Sequence, residues 1–339
     1  MDAHARPVNG GSFLMLAVGA LALGASLGGC DRSAPSVEGS TAGSTPEQIA
    51  LKVGMDPGIV RRAVRASPIP RPPEDPTNRF ADDDDAAEFG RQLFFDPGLS
   101  GGGEVSCATC HQPSLHFTDG LPLSQGVATA GRHAPTLVDA AHQRWFNWDG
   151  RSDSMWAHAI RPIEHPDEMG GDRTALARHL FEDPRTRTAY ERIFGEALPE
   201  PGSLPERARP DGTDAERKAW ASLPEETRGQ VDRVAANVGK ALAAYQRTLQ
   251  GGSSRFDRWV AEVGSGGDGG DALAESERRG LELFFGRAEC WECHAGPLFS
   301  DGEFHNIGTP VAGGLPRDSG RYDGAALVVN DASDRFFFC

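Results

Sequence analysis

Cys107-Ala108-Thr109-Cys110-His111 and Cys290-Trp291-Glu292-Cys293-His294 decide the reading of this chain. Both have the form C-x-x-C-H, the attachment signature of c-type haem. Two thiols on one helical turn can form thioethers to two vinyl groups, and the adjacent imidazole then reaches iron from the proximal side. A redox dithiol could account for one such match. Two matches lying 183 residues apart, each with its own histidine, disfavour a shared zinc site and imply two haems. The remaining cysteines, Cys30 and Cys339, stand outside these motifs.

The surroundings of the motifs repeat as well. Glu88-Phe89-Gly90-Arg91-Gln92-Leu93-Phe94-Phe95 precedes the first and Arg278-Arg279-Gly280-Leu281-Glu282-Leu283-Phe284-Phe285 the second, sharing G-x-x-L-F-F. Downstream of each histidine comes a matching turn, Phe117-Thr118-Asp119-Gly120 and Phe299-Ser300-Asp301-Gly302. A short amphipathic helix, an attachment turn and a Gly-terminated loop therefore occur twice, which implies two homologous domains. Between them, Val231, Val234, Val238, Leu242, Tyr245 and Leu249 follow helical spacing, with Gly251 and Gly252 as the stop; this helix is expected to open the second domain. Gly264 to Asp271 reads as a flexible loop inside that domain.

Length allows two modest domains plus tails. With 34 basic and 49 acidic residues the net charge is −15, which argues against nucleic-acid binding and suits a basic protein partner. Gly (42) and Pro (24) are abundant enough that much of the backbone must be turn and irregular coil. The uncharged stretch from Phe13 to Leu23 has the length of a signal-peptide core and ends at Leu27-Gly28-Gly29-Cys30, small residues before a cysteine. That pattern resembles a bacterial lipobox, with Cys30 as the lipidated mature N-terminus, and places the protein in the periplasm. From Asp31 to about Asp85 the chain is rich in Pro, Ser, Gly and Asp without sustained periodicity, which reads as a tether.

From about Ala86 to Asp318 the chain resembles the bacterial dihaem cytochrome c peroxidase and MauG family. The resemblance rests on Ser106-Cys107-Ala108-Thr109-Cys110-His111, Arg132-His133-Ala134-Pro135-Thr136-Leu137, Trp148-Asp149-Gly150-Arg151, Pro166-Asp167-Glu168-Met169-Gly170 and Cys293-His294-Ala295-Gly296-Pro297-Leu298-Phe299 running into Phe304-His305-Asn306-Ile307-Gly308. It implies a mainly α, loop-rich fold of two cytochrome c-like domains in tandem: residues 1–29 a signal peptide, 30–85 a flexible linker, 86–225 a peroxidatic haem domain and 226–339 an electron-transfer haem domain. His111 would be the proximal ligand of the reactive haem and His294 that of the relay haem. Trp148 matches the tryptophan between the family's haems. Glu168 matches the distal acid that takes a proton from the inner oxygen of peroxide and returns one to the leaving oxygen, work for which a carboxyl group with a burial-raised pKa is suited. The implied partners are hydrogen peroxide and a small electron donor, a cytochrome c or cupredoxin; the resemblance also admits a homodimer.

The departures from the family pattern carry information of their own. Members that need reductive activation carry a histidine soon after Ser-x-Gly, whereas here Ser124-Gln125-Gly126 runs into Val127. His116 and His133 are nearby. His133 stands where asparagine often supports a calcium ion between the domains, which argues against calcium here, and His158 replaces a common glutamine near the distal pocket. The family's distal ligand to the second haem, methionine or tyrosine, lies further downstream, and no methionine follows Met169. The second domain is therefore read as C-terminally truncated, ending in Phe336-Phe337-Phe338-Cys339. The leading expectation is peroxide reduction. A MauG-like oxidation of a partner protein's side chains and a plain dihaem electron carrier are the alternatives.

Overall fold

The computed structural model describes residues 44–310 and 313–330, the side chains of 327–330 excepted. The expected signal peptide, Cys30 and the terminal aromatics lie outside the described residues. Those described are helical and loop-rich; their β-structure consists of isolated bridges such as Gln112 with Thr118. The helices are α1 (Pro46–Val53), α2 (Pro57–Arg65), α3 (Asp84–Phe94), α4 (Cys107–Cys110), α5 (Met155–Glu164), α6 (Arg173–Glu182), α7 (Pro184–Phe194), α8 (Asp214–Ser222), α9 (Glu225–Arg247), α10 (Arg255–Gly264), α11 (Glu275–Phe285) and α12 (Arg321–Asn330).

The first core is built around α9, whose Val231, Val234, Val238 and Leu242 are almost completely buried against Phe89, Leu93 and Phe94 of α3, Ile160 and Ile163 of α5, and Tyr190 and Phe194 of α7. Each such side chain stabilises the fold by roughly 1.5–3 kcal/mol on burial. Small residues bring α3 and α9 close: a Cβ on Gly90 would lie 1.9 Å from the carbonyl oxygen of Ala241. Gly90 is the glycine of the first G-x-x-L-F-F, so this motif is a helix-packing device. Val105, Cys107, Ala108 and Phe117 rest on the same core and seat the first attachment motif on it.

A second core collects Ile49 and Ala50 of α1, Val60 and Ala63 of α2, Trp259, Val260 and Val263 of α10, and Leu281 and Phe285 of α11, with Trp291 against its edge. The repeated helices α3 and α11 thus occupy corresponding places, each supporting one C-x-x-C-H motif.

Two expected domain boundaries shift. The helix expected to open the second domain, α9, belongs to the first core, because its apolar stripe faces α3, α5 and α6. The stretch from residue 46 to 65, expected within a flexible linker, forms two capped helices in the second core. Thr45 and Gln48 form a capping box, Asp56 caps α2, and prolines occupy both first turns, so residues that suggested a tether are helix-start signals.

Candidate active site

In the first site α4 presents Cys107 and Cys110 one turn apart, followed by His111. Nδ1 of His111 lies 2.9 Å from the carbonyl oxygen of Phe117. Since a carbonyl only accepts, Nδ1 is protonated and Nε2 keeps its lone pair for a metal. Phe117 reaches this position with φ 59°, in the left-handed region. Burial pushes the Cys107 thiol up to about 12; burial, helped by the charges of Asp119 and Glu168, pushes Cys110 up to about 11. Neutral thiols suit thioether formation and oppose thiolate–zinc ligation. Burial also lowers the His111 pKa, favouring the neutral imidazole that iron requires.

These residues open onto a cavity of about 440 Å³. Its wall includes Phe94, Leu137, Leu242, Trp148, His158, Pro162, Glu168 and Met169, an apolar lining with a few polar groups and a volume in the roughly 300–1,000 Å³ range of cofactor pockets. The first site therefore fits a covalently held haem. Glu168 and Trp148, distant in sequence from the cysteines, line the same cavity. Glu168 sits on the turn after α5, where its carbonyl accepts from the N–H of Val127 at 2.8 Å. A Cβ on Gly126 would lie 2.2 Å from that same carbonyl, so the loop needs glycine to approach. The neighbouring acid Glu164 is buried and paired with Arg173 at 2.7 Å.

Trp148 is half exposed, with its ring 4.7 Å from that of His133 and its Nε1 donating to the His133 carbonyl at 2.9 Å. The next residue, Asp149, is buried and accepts from Arg132 at 2.6 Å and Arg151 at 2.9 Å. Burial alone would raise its pKa, but the Arg132 hydrogen bond and the two guanidinium charges hold it below the usual carboxylate range. Arg132 also grips Asp318 at 2.7 Å, and Arg321 donates to the carbonyls of Asp149 and Gly150. The chain beyond the second motif is thereby tied to the turn carrying Trp148.

His158 lines the cavity on α5, its ring stacked 5.9 Å from Phe146 and its Nδ1 without a hydrogen-bond partner. Burial, with repulsion from His111, Arg151 and Arg161, pulls its pKa down to about 3, so it is neutral. His116 is exposed and outside the cavity, and Val127 turns its side chain towards Gly170. His165 was overlooked in the sequence. It lines the cavity with Nδ1 3.6 Å from Glu168 Oε1, and its position three residues before Glu168 was the available signal.

The second motif occupies a 3-10 turn, Cys290–Glu292, with both thiols exposed. Nδ1 of His294 lies 3.0 Å from the carbonyl of Phe299, which has φ 51°, repeating the arrangement of the first site. Phe284, Phe285 and Phe299 cluster beside it, and Leu283 and Phe299 are exposed. Free paired thiols, an oriented imidazole and uncovered apolar surface fit a second attached haem.

The sequence profile of di-haem cytochrome c peroxidases matches residues 84–264. The chain belongs to that family. It is 35% identical to the methylamine utilization protein MauG of Methylorubrum extorquens over 68% of this chain and 54% of the relative. It is 34% identical to the cytochrome-c peroxidase IdrP2 of Denitromonas iodatirespirans over 67% of this chain and 52% of the relative. The chain spans about half the length of these curated relatives. The crystal structure of the diheme peroxidase BthA from Burkholderia thailandensis superposes with a TM-score of 0.57 at 26% identity, covering 78% of this chain and 66% of that one. The family is di-haem, and this chain carries two cysteine pairs, each followed by an oriented histidine.

Proposed function

We propose that this chain reduces hydrogen peroxide to water with two electrons from a small redox protein, a cytochrome c or cupredoxin. One observation carries the reading: Glu168 and Trp148 stand on the wall of the cavity onto which Cys107, Cys110 and His111 open. A c-type haem held by those three residues supplies a redox-active iron. Glu168 then takes a proton from the inner oxygen of peroxide and delivers it to the leaving oxygen, so that peroxide, two electrons and two protons become two waters. Apolar Phe94, Leu137 and Met169 limit competing water. Cys290, Cys293 and His294 hold the relay haem, and Trp148 lies on the electron route between the lobes. Export to the periplasm on a lipid-modified Cys30 agrees with covalent haem attachment.

The test is peroxide consumption by the dihaem protein mixed with a pre-reduced small cytochrome c or cupredoxin. The proposal expects two donor molecules oxidised per peroxide. The identity to MauG favours a second reading, oxidation of a partner protein's side chain; peroxide consumption that leaves the donor reduced would support it. A protein that exchanges electrons but ignores peroxide is a plain carrier.

A further inference from the structure

The hairpin of α1 and α2 lies outside residues 84–264, which the family profile matches, yet it touches the second attachment motif. Arg62, in the last turn of α2, places its guanidinium 4.1 Å from the centroid of the Trp291 ring. Trp291 is the residue between Cys290 and Glu292 in Cys290-Trp291-Glu292-Cys293-His294. The same guanidinium donates through Nη1 to the carbonyl of Phe285, at the end of α11, at 3.1 Å. Its backbone is fixed from below, because the neighbouring Val60 and Ala63 are buried with Trp259, Leu281 and Phe285. Ile59 also closes on the chain leading to the motif: a Cβ on Gly286 would lie 3.0 Å from its Cδ1.

The charge of Arg62 is not cancelled at contact distance. Its hydrogen bond goes to a carbonyl and its face to an indole, and among the described residues no carboxylate forms an ion pair with it. The motif carries Glu292 and is preceded by Glu289, in a chain of net charge −15. A half-buried, unpaired cation stacked on the attachment turn opposes that negative field. Oxidised haem iron bears one more positive charge than reduced, so a fixed cation beside it disfavours the oxidised state and raises the potential. The planar guanidinium also braces the turn, since it can stack on an indole and donate to a carbonyl at once.

We propose that Arg62 is a positioning residue for the second haem: it pins the Trp291 turn and holds that haem's reduction potential up, which favours electron entry from a donor. The proposal rests on the reading that Cys290, Cys293 and His294 carry a haem. The experiment is spectroelectrochemical titration of the dihaem protein, with haem additions counted by mass spectrometry. Arg62→Gln should lower the potential of the second haem and leave that of the first unmoved. Arg62→Lys, which keeps the charge, should stay near the wild-type value. Trp291→Leu, which removes the seat of the guanidinium, should shift the second haem downwards, and it provides the test if Arg62→Gln does not accumulate with both haems. An unmoved second potential in the loaded Arg62→Gln protein, or equal shifts in Arg62→Gln and Arg62→Lys, would overturn the electrostatic role. A wild-type chain without haem at Cys290 and Cys293 would instead overturn the reading beneath it.

Discussion

The carbonyl oxygen of Phe117 fixes the tautomer of His111 through a 2.9 Å hydrogen bond at Nδ1, and Phe299 does the same for His294 at 3.0 Å. Both phenylalanines hold a positive φ, which a β-branched residue resists. Phe117→Val should therefore displace the carbonyl without touching the cysteines. A histidine that loses this acceptor is a weaker donor to iron, so oxidised iron loses stabilisation and the first haem's potential should rise. Mass spectrometry should still find two haem additions, and Phe299→Val should move only the second potential. A Phe117→Val protein with an unchanged first potential would show that the carbonyl does not tune the ligand.

Gly90 and Gly280 occupy the same place in the two copies of G-x-x-L-F-F and should respond oppositely to alanine. At Gly90 the new methyl meets the Ala241 carbonyl, and overpacking of this kind costs about 1–3 kcal/mol. At Gly280 nothing among the described residues lies within 4 Å, and alanine in a helix interior is favoured by roughly 0.5–1 kcal/mol. Thermal melting of the two variants of this chain measures the difference.

The attachment motifs, α3, α11 and α9 were legible because each carries a local signal: a cysteine spacing or an apolar stripe at helical period. Domain membership was not. The stripe of α9 shows that the helix is buried but cannot say against which core, and that is decided by the close approach of Gly90 to Ala241. The hairpin of α1 and α2 was hidden because its prolines and aspartate read as coil when their capping roles are not weighed. In the cavity, Glu168 and Trp148 were found only through family motifs, since nothing local joins them to Cys107. His165 and the grip of Arg132 on Asp318 depend on tertiary placement that periodicity does not encode.

Asp96 and His179 form a half-buried pair at 2.7 Å that ties the turn after α3 to α6. Their hydrogen bond raises the His179 pKa above 6.5 and lowers that of Asp96 below 3.8. The histidine's contribution is complete below 6.5 and is lost as pH rises through its elevated folded value. The aspartate's contribution is complete above 3.8 and is lost as pH falls through its depressed folded value. His179→Gln should thus cost most between these limits, by under about 1 kcal/mol. Melting curves across pH should show the gap to wild type narrowing on both sides.

Val127 cannot ligate iron, and its backbone N–H is engaged by the Glu168 carbonyl. The first haem should accordingly be high-spin in the fully oxidised protein and react with peroxide without prior reduction of the second. Electron paramagnetic resonance of the diferric form tests this. A low-spin bis-histidine signal there would identify a cavity histidine as the sixth ligand. His133→Gln, His158→Gln and His165→Gln would then show which one, by restoring the high-spin signal.

Glu168 is the carboxylate in the cavity wall whose loss should separate chemistry from haem binding. Glu168→Gln preserves volume and leaves the backbone contact to Val127 intact, but it removes the proton acceptor. Peroxide reduction should fall by on the order of 10² or more while both haems remain attached. His165→Gln should have a smaller effect, because the Glu168 carboxylate remains on the cavity wall when its imidazole neighbour at 3.6 Å is gone. An unchanged rate in Glu168→Gln would leave the proton-handling role to His158, whose neutral ring lines the same cavity, or to water. A Glu168→Gln, His158→Leu double variant would then decide whether a side chain or water does the work, since only the side-chain route predicts a further loss in that background.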